Sequence, residues 1–176
     1  MNDIEIRLLE SSDDRSRFKS GNVDLDRFLQ RFAGQNQFKH HIGTTYVAVS
    51  DSEILGYATV SASHIEVEDL PPGRLRRGLP AYPLPVLRLA RLAVSVDAQG
   101  KGIGSALLRA VFHLAHELSV QVGCIGVVVD AKAETRAFYH KLGFMALEVV
   151  EGSLGERPSP TPMFLSLGRI PGRRDP

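Results

Sequence analysis

Apolar and polar residues alternate along Ile4-Glu5-Ile6-Arg7-Leu8, the period-two pattern of a half-buried strand. Ser11-Ser12-Asp13-Asp14 follows as a turn able to cap a short helix containing Phe18. Asn22 or Asp24 then caps a longer helix, in which Leu25, Phe28, Leu29, Phe32 and Ala33 recur at helical spacing. Gly34 and the Asn and Gln residues around it weaken the far end of that helix. Lys39-His40-His41 places cations near its C-terminus, where they suit the helix dipole. Residues 44–49 and 54–60 are strand-like and flank Ser50-Asp51-Ser52-Glu53. This predicts a hairpin whose second strand continues through Ile65.

Residues 69–85 combine prolines at 71, 72, 80, 83 and 85 with glycines at 73 and 78 and with Arg74, Arg76 and Arg77. They predict a long irregular segment, a kind of loop that is often functional inside a compact domain. An apolar strand over 86–96 then runs into a glycine-rich turn. The next helix carries Ile103, Ala106, Leu107, Ala110, Val111, Leu114, Ala115 and Leu118 on one face. Residues 123–129 are almost continuously apolar, as in a strand covered on both faces. Residues 133–142 form a short helix closed by Gly143, and 144–147 restart a strand. A loop rich in Gly, Ser and Pro leads to a last strand over 163–167. The order is β, two helices, a β-hairpin, β, α, β, α, β, β. It implies an α/β fold with a mixed central sheet, antiparallel at the front and parallel across the β-α-β unit around the glycine turn.

The 176 residues suffice for a domain with its own core. Cys124 is the only cysteine, so no internal disulfide forms. The N-terminus MNDIEIRLLE is acidic and lacks the apolar stretch of a signal peptide, and no apolar run approaches the ~20 residues of a membrane span. A cytoplasmic protein without membrane contact is expected. A net charge of +1 is too small to imply nucleic-acid binding, which must rest on local clusters. His40, His41, His64 and His140 share no metal-ligand spacing with Cys124, and no metal is expected.

The chemistry concentrates in Gln99-Gly100-Lys101-Gly102-Ile103-Gly104, between the apolar strand and the amphipathic helix. Closely spaced glycines at a helix N-terminus leave backbone N–H groups bare, an arrangement that suits a phosphate. A dinucleotide fingerprint would need its third glycine one residue later, and a P-loop would end in Gly-Lys-Ser/Thr. What stands here is Q/R-x-x-G-x-G/A. A helix start rich in glycine for tight packing would read the same way.

Two further segments narrow the choice: Arg91-Leu92-Ala93-Val94 before the turn, and Ala137-Phe138-Tyr139-His140-Lys141-Leu142-Gly143-Phe144 about forty residues after it. With the turn, they resemble the GNAT family of acyl-CoA-dependent N-acetyltransferases over residues 86–147. The resemblance implies the GNAT fold, with residues 1–168 as one acetyltransferase domain and 169–176 as a basic, disordered tail. It implies acetyl-CoA as co-substrate. The backbone of Gly100, Lys101, Gly102, Ile103, Gly104 and Ser105, with Gln99, would hold the pyrophosphate. The strand edge at Leu92, Ala93 and Val94 would pair with pantetheine, and Phe138 would line the same site. Tyr139 stands where the family's general acid stands. A phenol with a reference pKa near ~10 stays protonated at neutral pH and can donate to a departing thiolate. A tyrosine packed beside Phe138 is the plain structural alternative.

No general base stands out. Asp130 ends a buried strand and reads as a helix cap, and Glu66 and Glu68 are carboxylates able to face the acceptor cleft. A base is dispensable if the acceptor is an α-amine beside an ester, whose pKa falls below the usual ~7.7–8.0. Phe18-x-x-Gly21-x-x-x-Leu25-Asp26-x-Phe28-Leu29, the Leu79-to-Pro85 loop, the Arg88-to-Val94 strand and Met163-Phe164-Leu165 resemble one GNAT branch. That branch is the toxins of type II toxin–antitoxin pairs, which acetylate the amino group of aminoacyl-tRNA and block translation. The resemblance implies a homodimer and a ribbon-helix-helix antitoxin. Arg74, Arg76, Arg77, Arg88 and Arg91 would then contact tRNA, joined by Lys39 and the tail residues Arg169, Arg173 and Arg174. Scattered solubilising charge is the alternative for the tail. Arg91, set in an apolar strand, requires a fixed partner or a substrate. Two rival functions remain: a GNAT enzyme acting on a small-molecule amine, protein N-terminus or lysine, and a non-catalytic acyl-CoA-binding regulatory module.

Overall fold

A computed structural model describes residues 3–147 and 160–170. The Gly/Ser/Pro loop before the last strand, and Arg173 and Arg174, lie outside the described residues. The strands are β1 Glu5–Leu8, β2 Thr44–Ser50, β3 Glu53–Ile65, β4 Leu84–Val94, β5 Gly126–Ala131, β6 Met145–Ala146 and β7 Thr161–Ser166. They form one mixed sheet in the order β1-β2-β3-β4-β5-β7-β6, the α/β class expected from the pattern. The helices are α1 over residues 23–40, α2 Arg74–Arg77, α3 Ile103–Gln121 and α4 Arg136–Lys141. The chain divides into two compact units, Met1–Ser61 with Leu89–His113, and Ala62–Arg88 with Leu114–Pro176.

In the first unit, β1 and β3 both pair antiparallel with β2. The β2–β3 connection is the expected hairpin. Its central residues Asp51 and Ser52 take φ of 48° and 65°, the left-handed pair that matches the twist of adjoining strands. The core gathers Leu9, Phe18, Phe28, Leu29, Val47 and Tyr57. Tyr57 is its hub: the ring meets Phe18 edge-on at 5.5 Å and stacks on Phe28 at 6.2 Å, while the hydroxyl donates to the Leu25 carbonyl at 2.7 Å. Burial raises the Tyr57 phenol well above its ordinary range, so the hydroxyl remains a donor.

Two expectations change here. Phe18 lies in a chain of tight turns, not in a helix. Asp13 is committed to a two-pronged pair with Arg7 (2.9 and 2.7 Å) and to the Glu10 N–H, and Asp14 holds Ser16, so neither caps a helix. Arg7 in turn holds the Asp13 carboxyl below the usual carboxylate range. The helix capped by Asn22, which accepts from the N–H groups of Asp24 and Leu25, continues through Gly34 to His40. It does so by alternating α-turns (Val23–Arg27, Ala33–Gln35) with π-turns (Phe28–Phe32, Asn36–His40), closed by i→i−5 bonds from Ala33 to Phe28 and from His41 to Asn36.

In the second unit, β7 lies between β5 and β6 and pairs antiparallel with both. Ile65, Leu70, Leu84, Val86, Val128 and Phe164 form its core. The strand expected over 123–129 begins only at Gly126. Gly123, with φ of 99°, ends α3 by donating to the Leu118 carbonyl at 2.8 Å, and three residues are spent reversing the chain. The segment over 69–85 contains the short helix α2 instead of being wholly irregular.

One glycine sets how close α3 comes to the strands of the first unit. A Cβ on Gly56 would lie 2.9 Å from Ile103 Cγ2, 3.0 Å from the Ala93 carbonyl oxygen and 3.1 Å from Leu107 Cδ1. Gly56→Ala should therefore destabilise the protein by ~1–3 kcal/mol through overpacking. Urea denaturation reads this directly, and an unchanged midpoint would show that the helix start is not seated on Gly56.

Candidate active site

The glycine turn belongs wholly to the first unit. After β4 the chain makes one 3-10 turn, Val96–Ala98, and reaches Gln99. Ser95 N donates to Leu55 O at 2.8 Å, and Val96 N to Lys19 O at 2.9 Å. Gln99 Nε2 donates to Ser20 O at 2.9 Å and to Val94 O at 3.1 Å. One amide thus ties the turn both to the strand end and to the segment preceding α1. The glutamine's role in the motif is that of an anchor.

Gly100 and Gly102 adopt φ of 75° and 83°. A side chain in this region costs roughly 1–2 kcal/mol at each position. A Cβ on either residue would meet no atom of the described residues within 4 Å. Backbone conformation, not crowding, therefore requires glycine here, and the space above the turn is open. Gly104 has ordinary backbone, and its Cβ would sit 3.7 Å from Val94 Cγ2, room enough for the alanine that the motif allows. Ile103 is buried and Lys101 is exposed. The helix that begins here is 19 residues long, and its first-turn N–H groups have no acceptor inside the helix. Leu92 and Val94 are half-buried on β4, with Ala93 buried between them. The adjacent Arg91 has a fixed partner: its guanidinium carbon lies 3.7 Å from the centroid of the Phe28 ring, a cation–π contact.

Tyr139 and Phe138 belong to the second unit. Tyr139 sits in α4 and is only 6% exposed. Its ring meets Phe138 edge-on at 5.1 Å and Phe144 at 5.3 Å. Gly143, with φ of 96°, returns the chain so that Phe144 N donates to the Tyr139 carbonyl at 3.1 Å. Gly143-Phe144 therefore belongs to the motif because it walls the tyrosine. The phenolic hydroxyl has no hydrogen-bond partner among the described residues, and burial pushes the phenol up to about 12. Phe138 is 41% exposed.

Three strands of the second unit place Ser63, Arg88 and Asp130 together. Arg88 Nη1 donates to Asp130 Oδ2, and Arg88 Nε reaches Ser63 Oγ at 3.4 Å. Asp130 is thus not a helix cap, because β5 extends through Ala131 and the carboxylate is held by an arginine across the sheet. Glu66 and Glu68 are exposed, with Glu66 lying 3.8 Å from His64. Arg74 and Arg77 are exposed and Arg76 half-buried on α2, and none makes an ion pair among the described residues. Arg169 lies in the 3-10 turn after β7. Among the described residues no cluster of three His, Cys, Asp or Glu side chains is arranged to hold a metal, and no helix is long and apolar enough to cross a membrane. The Gln99 anchor, the Arg91–Phe28 contact and the Arg88–Asp130 pair escape sequence reasoning, since each joins residues far apart in the chain.

Residues 41–146 match the family model described as an acetyltransferase (GNAT) domain. A tRNA-acetylating toxin of Mycobacterium tuberculosis (strain ATCC 25618 / H37Rv) is 33% identical over 139 residues, 78% of this chain and 82% of that protein. The structure of AtaT complexed with acetyl-methionyl-tRNAfMet aligns with a TM-score of 0.82 and 27% identity, covering 96% of this chain and 97% of that one. A tyrosine-to-phenylalanine mutant of the AtaT toxin, bound to acetyl-CoA and the C-terminus of the antitoxin AtaR, aligns with a TM-score of 0.74 and 26% identity over 96% of each chain. This chain belongs to the GNAT acetyltransferase family.

Proposed function

We propose that the protein transfers the acetyl group of acetyl-CoA to the α-amino group of an aminoacyl-tRNA, acting as the toxin of a toxin–antitoxin pair. The observation that carries the acetyl-CoA half is the Gln99-to-Gly104 turn, with two left-handed glycines under open space at the start of a long helix. The acceptor half rests on the likeness to tRNA-acetylating relatives. The bare N–H groups of residues 100–105 hold the pyrophosphate, and Lys101 adds charge. The edge of β4 at Leu92 and Val94 hydrogen-bonds the amides of pantetheine, and Phe138 contributes to cofactor binding.

In the transfer, the amine nitrogen attacks the thioester carbonyl, the C–S bond breaks, and CoA leaves as a thiolate. Tyr139 donates its phenolic proton to that sulfur. The phenol keeps its proton until the thiolate forms, because burial disfavours the phenolate. The surplus proton of the attacking amine passes to solvent, and solvent returns a proton to the Tyr139 phenolate, which restores the acid for the next turnover. An α-amine beside an ester is largely neutral at cellular pH, which removes the need for a dedicated base. Arg74, Arg76 and Arg77 contact tRNA phosphates, while Arg88 and Arg91 are held by Asp130 and Phe28 and act through the positions those partners impose. The active form is a cytoplasmic homodimer restrained by an antitoxin of the ribbon-helix-helix type.

Incubation with acetyl-CoA and charged bulk tRNA, followed by mass spectrometry of released aminoacyl-adenosines, should show a 42-dalton increase on a subset of them (the acetyl increment, roughly, for an enzyme making this bond). Acetylation of small amines or protein lysines alone would assign the acceptor differently. Tyr139→Phe should lower kcat by ~10²–10⁴-fold with the acetyl-CoA dissociation constant nearly unchanged. The tyrosine's pKa of about 12 gives the sign of its pH effect: the acid form persists through pH 10, so no alkaline fall in kcat arises from it below that pH. Unaltered turnover in the phenylalanine variant would remove Tyr139 from the chemistry. Arg76→Glu with Arg77→Glu should raise the KM for aminoacyl-tRNA and flatten its salt dependence by about two powers of salt concentration.

A further inference from the structure

The alternation of α- and π-turns in α1 has a geometric consequence. An α-helix repeats every 3.6 residues and a π-turn takes more, so their mixture repeats about every four. Burial follows that period. Leu29 and Ala33 are fully buried, Leu25 packs against the same core, and Gln37 points inward, donating to Leu9 O at 3.0 Å and accepting from Thr45 N at 2.9 Å. The opposite line, Arg27, Arg31, Gln35 and Lys39, is exposed at every position. In a uniform α-helix residues spaced by four would spiral away from one another. Here they remain on one ridge, with cations at three of four positions about 6 Å apart along the axis for each four-residue step.

Little within the protein neutralises this ridge. The nearest anion to Arg27 is Asp24 at 3.8 Å, with both side chains more than half exposed, and Arg31 and Lys39 make no ion pair among the described residues. At the head of the helix, Lys19 joins Arg27 and Arg31 around a groove of about 480 Å³. The groove's one carboxylate, Asp26, is occupied by the Ser20 N–H and hydroxyl at 2.8 and 2.6 Å. Val23 and Val96, 69% and 50% exposed, add apolar surface to the same groove.

We infer that the Arg27–Arg31–Lys39 ridge of α1, with Lys19 at its head, is a phosphate-backbone contact that positions the tRNA. It is separate from the α2 arginines and rests on the acceptor proposed above. Exposed cations at three of four positions on one straight ridge, with Asp24 as their single ion-pair partner among the described residues, suit the charge of a nucleic-acid strand, and exposed valines suit the sugar and base faces beside it. These are positioning residues: they fix the RNA relative to the site and touch no reacting atom.

The triple variant Arg27→Gln, Arg31→Gln, Lys39→Gln replaces exposed side chains by polar ones, and an unchanged melting temperature verifies its fold. The ratio of kcat/KM for aminoacyl-tRNA to kcat/KM for an aminoacyl-adenosine should fall tenfold or more, carried by KM. The slope of log kcat/KM against log salt should become shallower by about two. The charge-retaining double variant (Arg27→Lys, Arg31→Lys, with Lys39 kept) should keep both at the parent's values. A ratio and slope equal to those of the parent overturn the inference, and so does a variant that loses only its affinity for an acidic antitoxin peptide. Parent enzyme that acetylates neither tRNA nor aminoacyl-adenosine refutes the proposed acceptor instead.

Discussion

A helix that is to receive a phosphate must begin with its N–H groups uncovered and held in one orientation. That requirement conflicts with the ordinary tendency of helix starts to be capped by a side chain. The protein resolves the conflict by moving the restraint away from the amides. Gly100 and Gly102 turn the chain through left-handed backbone with nothing above them, and the Gln99 side chain ties the turn from behind, to Ser20 and Val94. Gly56 then admits Ile103 and Leu107 close to the strands beneath, so that the first turn of α3 is seated on backbone. Ser95 N and Val96 N fix the approach to the turn by donating to Leu55 O and Lys19 O.

Phe28 of α1 carries the Arg91 guanidinium on one face and packs against Tyr57, whose hydroxyl in turn binds the Leu25 carbonyl. β4, β3 and α1 thereby share one set of contacts. The same helix departs from regular winding because its inward side must satisfy both an apolar core and the open strand groups that Gln37 reaches. The straight outward line of cations follows from that inward constraint.

Tyr139 illustrates a second economy. Its acidity is set by burial alone, with walls supplied by its sequence neighbour Phe138 and by Phe144 across the Gly143 turn. The short motif is a complete local device: a phenol that retains its proton at working pH, a turn, and an aromatic wall. Local devices of this kind survive as recognisable sequence because all their parts lie within a few residues.

That difference separates what the chain discloses by itself from what it does not. The alternating and helical periods, the hairpin signal at Asp51-Ser52, the glycine spacing of the turn before α3 and the Phe-Tyr helix were legible in the sequence, because each depends on neighbouring residues and local backbone preference. The α/β order followed from them. The true winding of α1, the start of β5 only at Gly126 after the Gly123 turn, the capture of Asp130 by Arg88, and the seat of Arg91 on Phe28 were decided only by tertiary structure. Each joins residues from different elements or obeys a core whose shape the local pattern does not contain. A period of four residues looks in sequence like an imperfect period of 3.6, and only packing against Leu9, Thr45 and Tyr57 distinguishes the two.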